Sequence, residues 1–202
     1  MNSIMTKAEL STYLDSRDTP VILLEGRRSM PEDVQKSATE LGKWLAERFP
    51  HARFRSGNAT GSDEAFSDGV ISHSPSRLEV FAPTQSHRAK KRHSEVTYLS
   101  PKDLSDDEEQ HLAELTNQAT PKNERLINMR DKNPRLKSKA NYLIRDTLKV
   151  VGSEQLGYKK PALALFFVDL EDEMAGGTGH TIRVCQNNKI PYLTQKDWLN
   201  WL

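Results

Sequence analysis

Cysteine is nearly missing from this chain. Cys185 is the single one in 202 residues, which excludes an intrachain disulfide and a zinc site built on several thiolates, and suits a reducing compartment. Aromatic residues make up 7%, so stacking platforms for bases are scarce. Net charge is close to zero, with 29 Lys and Arg against 28 Asp and Glu for a formal +1. No global field draws the protein onto nucleic acid or an anionic membrane, and such binding needs a local patch. No window approaches the roughly 18 consecutive apolar residues of a membrane span. The opening MNSIMTKAELSTYL lacks a basic region followed by an apolar core, so it does not read as a signal peptide. The expectation is a soluble, cytoplasmic protein that makes no membrane contact.

What is present is an alternating pattern. PVILLE, from Pro20 to Glu25, is a short unbroken apolar run of the kind buried on both faces of a parallel sheet. Pro31 then opens a helical pattern carried by Val34, Ala38, Leu41, Leu45 and Phe49. Further strands are expected at Ala52 to Arg55 and at Leu78 to Ala82. The strongest apolar run, ALALFFVD from Ala162, reads as a central strand. A helix from about Thr178 to Asn188 follows it, then a last strand, IPYLT. Trp198, Leu199, Trp201 and Leu202 fit a short terminal helix sealing the core. Strands alternating with helices imply an α/β fold, a doubly wound, mostly parallel sheet in a Rossmann-like three-layer sandwich. One domain over 1–202 is expected, with a polar elaboration at about 83–133 between Pro83 and Asn133. That stretch holds a basic run, His87 to His93, an acidic run, Asp103 to Gln110, and short helical patterns near Asp103 and at Leu126 to Met129. A longer helix is expected from Leu136 to Val151.

Ligands of such sheets settle at the carboxyl ends of the strands. Three turns fall on that edge: Gly26-Arg27-Arg28-Ser29, then Ser56-Gly57-Asn58-Ala59-Thr60-Gly61-Ser62-Asp63, then Ala175 to His180. In the last, Gly176, Gly177 and Gly179 let main-chain N–H groups approach an anion, and the helix that follows adds its positive end. Thr178 and Thr181 are placed to cap that helix or donate hydroxyl hydrogen bonds. The alternative is a tight strand-to-helix connection in which glycine relieves crowding. The spacing is neither G-x-G-x-x-G nor a P-loop, since no lysine follows the last glycine. In the second turn Ser56, Asn58, Thr60 and Ser62 precede Asp63 and Glu64. Those acids either favour a helix dipole or, as in dinucleotide sites, accept from a ribose hydroxyl.

SGNATGSDEAF resembles the SGGA-x-G-x-D turn of the SLOG superfamily, a Rossmann-like group that includes DprA, the LOG enzymes and YspA-type proteins. AGGTGHTIRVCQNNKIPY resembles the second motif of that group, and LIRDTLKVV, with Arg145 and Asp146, resembles its Arg-Asp element. The likeness runs from Val21 to Thr194 and leaves Pro83 to Asn133 unmatched. It implies a nucleotide or nucleotide derivative, AMP-like or ADP-ribose-like, as ligand, with no certain cofactor and no metal. The ligand would be held by Gly26, Arg27, Ser56, Gly57, Asn58, Gly61, Asp63, Glu64, Arg145, Asp146, Gly176, Gly177, Thr178, Gly179, His180 and Thr181. LOG enzymes carry P-G-G-x-G-T-x-x-E with a catalytic glutamate. Laid on Ala175 to Arg183, that pattern puts Arg183 at the glutamate's place, with Ile182 beside it, which counts against the same hydrolysis. For a hydrolase acting on an N-glycosidic or phosphate bond the candidate acids and bases are His180, Glu64 and Asp63. Between Thr120 and Lys149 nine Lys and Arg face three acids. That stretch admits a single-stranded nucleic acid as partner, the alternative being a solvated helix face balanced by the acidic run. Related proteins form dimers, which leaves room for a homodimer.

Overall fold

The computed structural model describes residues 5–201. In chain order its elements are α1 (Lys7–Asp15), β1 (Val21–Gly26), α2 (Glu32–Arg48), β2 (Arg53–Ser56), α3 (Ser62–His73), β3 (Leu78–Phe81) and β4 (Thr97–Leu99). They continue with α4 (Asp106–Ala119), α5 (Glu124–Asn128), α6 (Pro134–Val151), β5 (Leu163–Phe167), α7 (Gly176–Asn187), β6 (Tyr192–Thr194) and α8 (Gln195–Trp198). Six strands form one parallel sheet in the order β4-β3-β2-β1-β5-β6. The continuous apolar runs become β1 and β5, which lie side by side in the middle with Leu24 opposite Leu165.

Two helical layers cover this sheet. On one face Ile22 and Leu24 meet Leu10, Leu41, Phe66 and Trp198 from α1, α2, α3 and α8. On the other, Leu23 and Phe166 meet Ile182 and Cys185 of α7, while Phe81 meets Leu112, Ile144 and Leu148 of α4 and α6. Phe66 and Trp198 are fully buried and meet edge to face at 5.6 Å. Truncating such a ring costs about 3–5 kcal/mol. Of the terminal residues expected to seal the core, Trp198 and Trp201 are buried, with Trp198 Nε1 donating to Phe166 O at 3.0 Å, whereas Leu199 is exposed and Leu202 lies outside the described residues.

Two elements were not foreseen. Helix α1 starts at a capping box in which Thr6 and Glu9 bond each other's backbone N–H, and this short-range signal is readable in TKAE. Strand β4 lies inside the polar stretch after Pro83 and completes the sheet edge. It is three residues long, and only Leu99 of it is buried, too little for a periodic signal. Helix α7 begins at Gly176 rather than Thr178.

The chain moves outward from β1 through β2 and β3 to β4. It then returns through α4, α5 and α6 to β5, on the other side of β1. Strand order therefore reverses between β1 and β5. In open α/β sheets ligands bind in the crevice outside the strand ends at that reversal.

Candidate functional site

A cavity of about 810 Å³ opens at this reversal, lined by the turn after β1, the start of α3, α6, the loop after β5 and the start of α7. Backbone and side-chain bonds pull these pieces together. Arg27 N–H donates to Phe167 O at 3.0 Å, and Ser62 donates to Arg27 O through its N–H at 3.1 Å and its hydroxyl at 2.6 Å. Arg27 also pairs with Asp169 at 2.9 Å, so the turn after β1 is tied to the loop after β5.

The exposed part of the lining carries Arg27, Arg28, Lys122 and Lys139, with the apolar side chains of Leu126 and Leu143 and the ring of Tyr142. The Arg28 guanidinium lies 5.0 Å from the Tyr142 ring centroid and that of Arg145 5.6 Å. At the start of α7, no side chain caps the helix, and its first main-chain bond runs from Gly179 N–H to Ala175 O at 2.9 Å. Among the described residues the N–H groups of Gly176, Gly177 and Thr178 have no hydrogen-bond partner. Gly176 has φ +60°, a conformation open to glycine, and a side chain on it would meet open space. Three amides and a helix dipole thus face the cavity.

The buried end is ionic. Glu25 points from β1 toward α6 and α7, where Lys149 Nζ lies 2.6 Å from its Oε2 and Thr181 donates to its Oε1 at 2.9 Å. The same Lys149 nitrogen is 2.9 Å from Asp146 Oδ1, which is 3.0 Å from Arg145 Nε. Arg145 donates to Phe81 O at 3.3 Å and stands 3.8 Å from Asp63. Asp63 in turn accepts from the N–H groups of Gly26 and Ala59, each at 3.4 Å. Burial pushes the Glu25 carboxyl up to about 7 against the pull of Lys149. Burial also raises Asp63, again opposed by Lys149 and Arg145. It works the same way on Asp146, yet Arg145 and Lys149 together outweigh it and hold that carboxyl below its ordinary value. Four atoms of the cluster, Glu25 Oε2, Asp146 Oδ1, Arg145 Nε and Lys149 Nζ, sit at ion-pair distance without hydrogen-bond geometry.

Of the residues expected to bind a ligand, Gly26, Arg27, Asp63, Arg145, Asp146, Gly176, Gly177 and Thr178 line this cavity. The others stand elsewhere. Ser56 donates to Leu24 O at 2.8 Å, and Asn58 donates to His87 O at 2.8 Å. Gly57 is packed so closely that a Cβ would collide with Arg145 Nη1 and Asp63 Oδ2, so this glycine admits the buried guanidinium. Gly61, at φ +81°, and Glu64 face a second groove between α2 and α3, where Glu64 pairs with Arg88 at 2.5 Å. Gly179 abuts the backbone of Met174. Thr181 serves Glu25 instead of capping the helix. His180 is 1% exposed, its Nδ1 bonded to Thr120 at 2.8 Å and its Nε2 to Thr147 at 3.0 Å. Burial lowers its affinity for a proton. It is a neutral clamp between α4, α6 and α7, behind the cavity wall.

Sequence reasoning passed over Glu25 and Lys149. Each carried a signal: an acid closing the apolar run PVILLE, and a lysine three residues after Asp146 beside the apolar Leu148 and Val150. Among the described residues no group of His, Cys, Asp and Glu is arranged to hold a metal ion, and no helix is long and apolar enough to cross a membrane.

No protein-family model matches the chain. No curated protein matches it either. Among solved structures it is similar to DNA processing protein A from Helicobacter pylori, described for a single-stranded DNA binding mode. The TM-score is 0.45 and the identity 14%, over 91% of this chain and 67% of that one. A likeness at that level decides nothing about function.

Proposed function

We propose that the cavity at the β1–β5 reversal binds a nucleotide or a nucleotide derivative. The observation that carries the reading is the set of three unpartnered amides at the start of α7, opening on a cavity whose lining includes six Lys and Arg side chains: Arg27, Arg28, Lys122, Lys139, Arg145 and Arg183. A phosphoryl group supplies the acceptors those amides lack. Tyr142, Leu126 and Leu143 offer a surface for a flat base, and the carboxylates of Asp63 and Asp146 accept from sugar hydroxyls. A cavity of about 810 Å³ has room for a mononucleotide or a longer derivative such as ADP-ribose.

A thermal-shift panel of ribonucleoside 5′-monophosphates, ADP-ribose, ribose 5-phosphate and inorganic phosphate tests this reading. A bound ligand stabilises the fold by RT ln(1 + [L]/Kd). Nucleotides are expected to raise the melting temperature more than ribose 5-phosphate does. A Cβ at Gly177 meets Asp146 Oδ2 at 3.2 Å and nothing else nearby, so Gly177→Val is expected to fold and to lose the nucleotide response. Full response in that variant would overturn the assignment.

The basic side chains Arg125, Lys132, Arg135 and Lys137 are exposed in the same stretch of chain that brings Lys122 and Lys139 to the cavity lining. They support a second reading, in which the nucleotide is part of a single strand. Binding of a short oligonucleotide would then weaken steeply with salt, whereas a mononucleotide held by the cavity alone would respond far less.

A further inference from the structure

We propose that the cavity takes a nucleoside carrying two phosphoryl groups on separate hydroxyls, one held at the start of α7 and the other by Arg28 and Lys139 at the exposed end. The proposal rests on the nucleotide reading above and narrows its ligand class.

Charge is sorted along this cavity. Its four acids, Glu25, Asp63, Asp146 and Asp169, each stand at ion-pair distance from Lys149, Arg145 or Arg27. Among the described residues no carboxylate pairs with Arg28, Lys122, Lys139 or Arg183, which line the same cavity.

Arg183 belongs to the inner end. It donates to Met174 O at 2.9 Å, just before α7, and the remaining donors of its fork are left at the helix end where the free amides stand. Arg145, 4% exposed, lines this end with an Nε that makes no hydrogen bond. The Asp146 charge there is met by Arg145 and Lys149 at 3.0 and 2.9 Å, so the inner end keeps its attraction for an anion. One phosphoryl group satisfies it.

Arg28, Lys122 and Lys139 are exposed. Exposed cations without partners are common on any surface, but these three share one concave lining, where charges of one sign focus their field on an anion. Arg28 is also positioned: its guanidinium lies 5.0 Å from the Tyr142 ring centroid, and that ring is met edge-on by His87 at 5.8 Å.

Helix α6 measures the gap between the two ends. Lys139, Leu143 and Asp146 all line the cavity, and their spacing of four and three residues makes one stripe along the helix. Asp146 marks the inner end, because a Cβ on Gly177 would lie 3.2 Å from its Oδ2. Lys139 is two turns away, about 10 Å along the axis. Helical side chains lean toward the N-terminus, which carries its ammonium further from α7. One phosphoryl group does not bridge that gap, nor do two joined through a single oxygen. A nucleoside phosphorylated at both sides of its sugar does, with Leu143 offering apolar surface on the way.

The test titrates the full chain by calorimetry with the 5′-monophosphate, 5′-diphosphate and 3′,5′-bisphosphate of adenosine, guanosine, cytidine and uridine. For at least one base the bisphosphate is expected to bind about 10–100-fold more tightly than the monophosphate, through charge-assisted hydrogen bonds to the second phosphoryl group. The 5′-diphosphate is expected within about threefold of the monophosphate, since its extra charge gains only screened attraction. Arg28→Ala and Lys139→Ala trim exposed side chains and should fold. Each is expected to bring the ratio of bisphosphate to monophosphate affinity toward one, and Lys139→Arg to keep it. Equal or weaker binding of every bisphosphate overturns this proposal and leaves the nucleotide reading intact. A 5′-diphosphate that matches the bisphosphate puts the second anion beside the first and overturns it too. A trinucleotide bound more tightly than the bisphosphate of its base assigns the two ends to a strand and overturns the small-ligand class. A ratio unmoved in both alanine variants overturns the assigned residues. No binding of any of these nucleotides overturns both readings.

Discussion

Two ionic clusters lie buried among the described residues, on the same side of the sheet, and they differ in how completely their bonds are made. In the first, Arg55 of β2 donates to Glu79 of β3 through Nε at 3.0 Å and Nη2 at 2.8 Å, and to Lys149 O through Nη1 at 3.0 Å. Arg53 supplies the other Glu79 oxygen at 2.7 Å. The two residues are register partners on adjacent strands, and the guanidinium stacks over Phe81 at 4.6 Å. In the second, Glu25, Asp146, Arg145 and Lys149 share charge at close range, yet four of their polar atoms lack a hydrogen bond. Arg55 and Glu79 of the first cluster are buried within protein while Arg53 reaches solvent, and Glu25, Arg145 and Asp146 of the second line a cavity. A buried charge without a full set of bonds is costly.

The contrast can be broken most sharply at Glu79. Replacing it by Ala strands a fully buried arginine, and breaking such a pair costs about 3–5 kcal/mol. Chemical denaturation should show that loss without any change in nucleotide response per folded molecule. Glu25→Gln, by comparison, should leave the protein close to wild-type stability near pH 5, because the native carboxyl is already protonated there. The sign follows from linkage. Glu25 takes up its proton at about 7 when folded and near its ordinary 4.5 when unfolded, so between those values the native state holds more protons. Wild-type stability then falls as pH rises through that window, by about 2 kcal/mol relative to Glu25→Gln. Parallel stability curves for the two proteins across that window would remove Glu25 from the buried set. The smallest effect is expected at His180. Its two hydroxyl partners make it a brace of the closed kind, and His180→Ala should lower stability by about 1–2 kcal/mol. Nucleotide binding lost selectively in that variant would move His180 into the site.

Much of the fold was legible along the chain. PVILLE and ALALFFVD announce central parallel strands, because a strand covered on both faces has no polar side. The 3.6-residue spacing of Ala38, Leu41 and Leu45 announces α2 with equal clarity. The site was legible in part. Glycine-rich turns pointed to the sheet edge at which the cavity opens, and Arg145 and Asp146, read from their place between two motifs, line it. The same reading took His180 and Glu64 for cavity residues, since adjacency in sequence does not say which side of a helix a residue presents. His180 is turned toward Thr120 and Thr147, and Glu64 toward Arg88.

The sequence alone determined the layered α/β architecture and the bare glycine start of α7, because both follow from periodicity and from the missing Cβ, which are local properties. Only the tertiary structure decided that Glu25, distant in the chain from Lys149, meets it across the reversal of strand order, and that Asp146 shares the same ammonium. Proton affinity is set by the charges and solvent within a few ångström of a group, and those neighbours are chosen by the path of the chain.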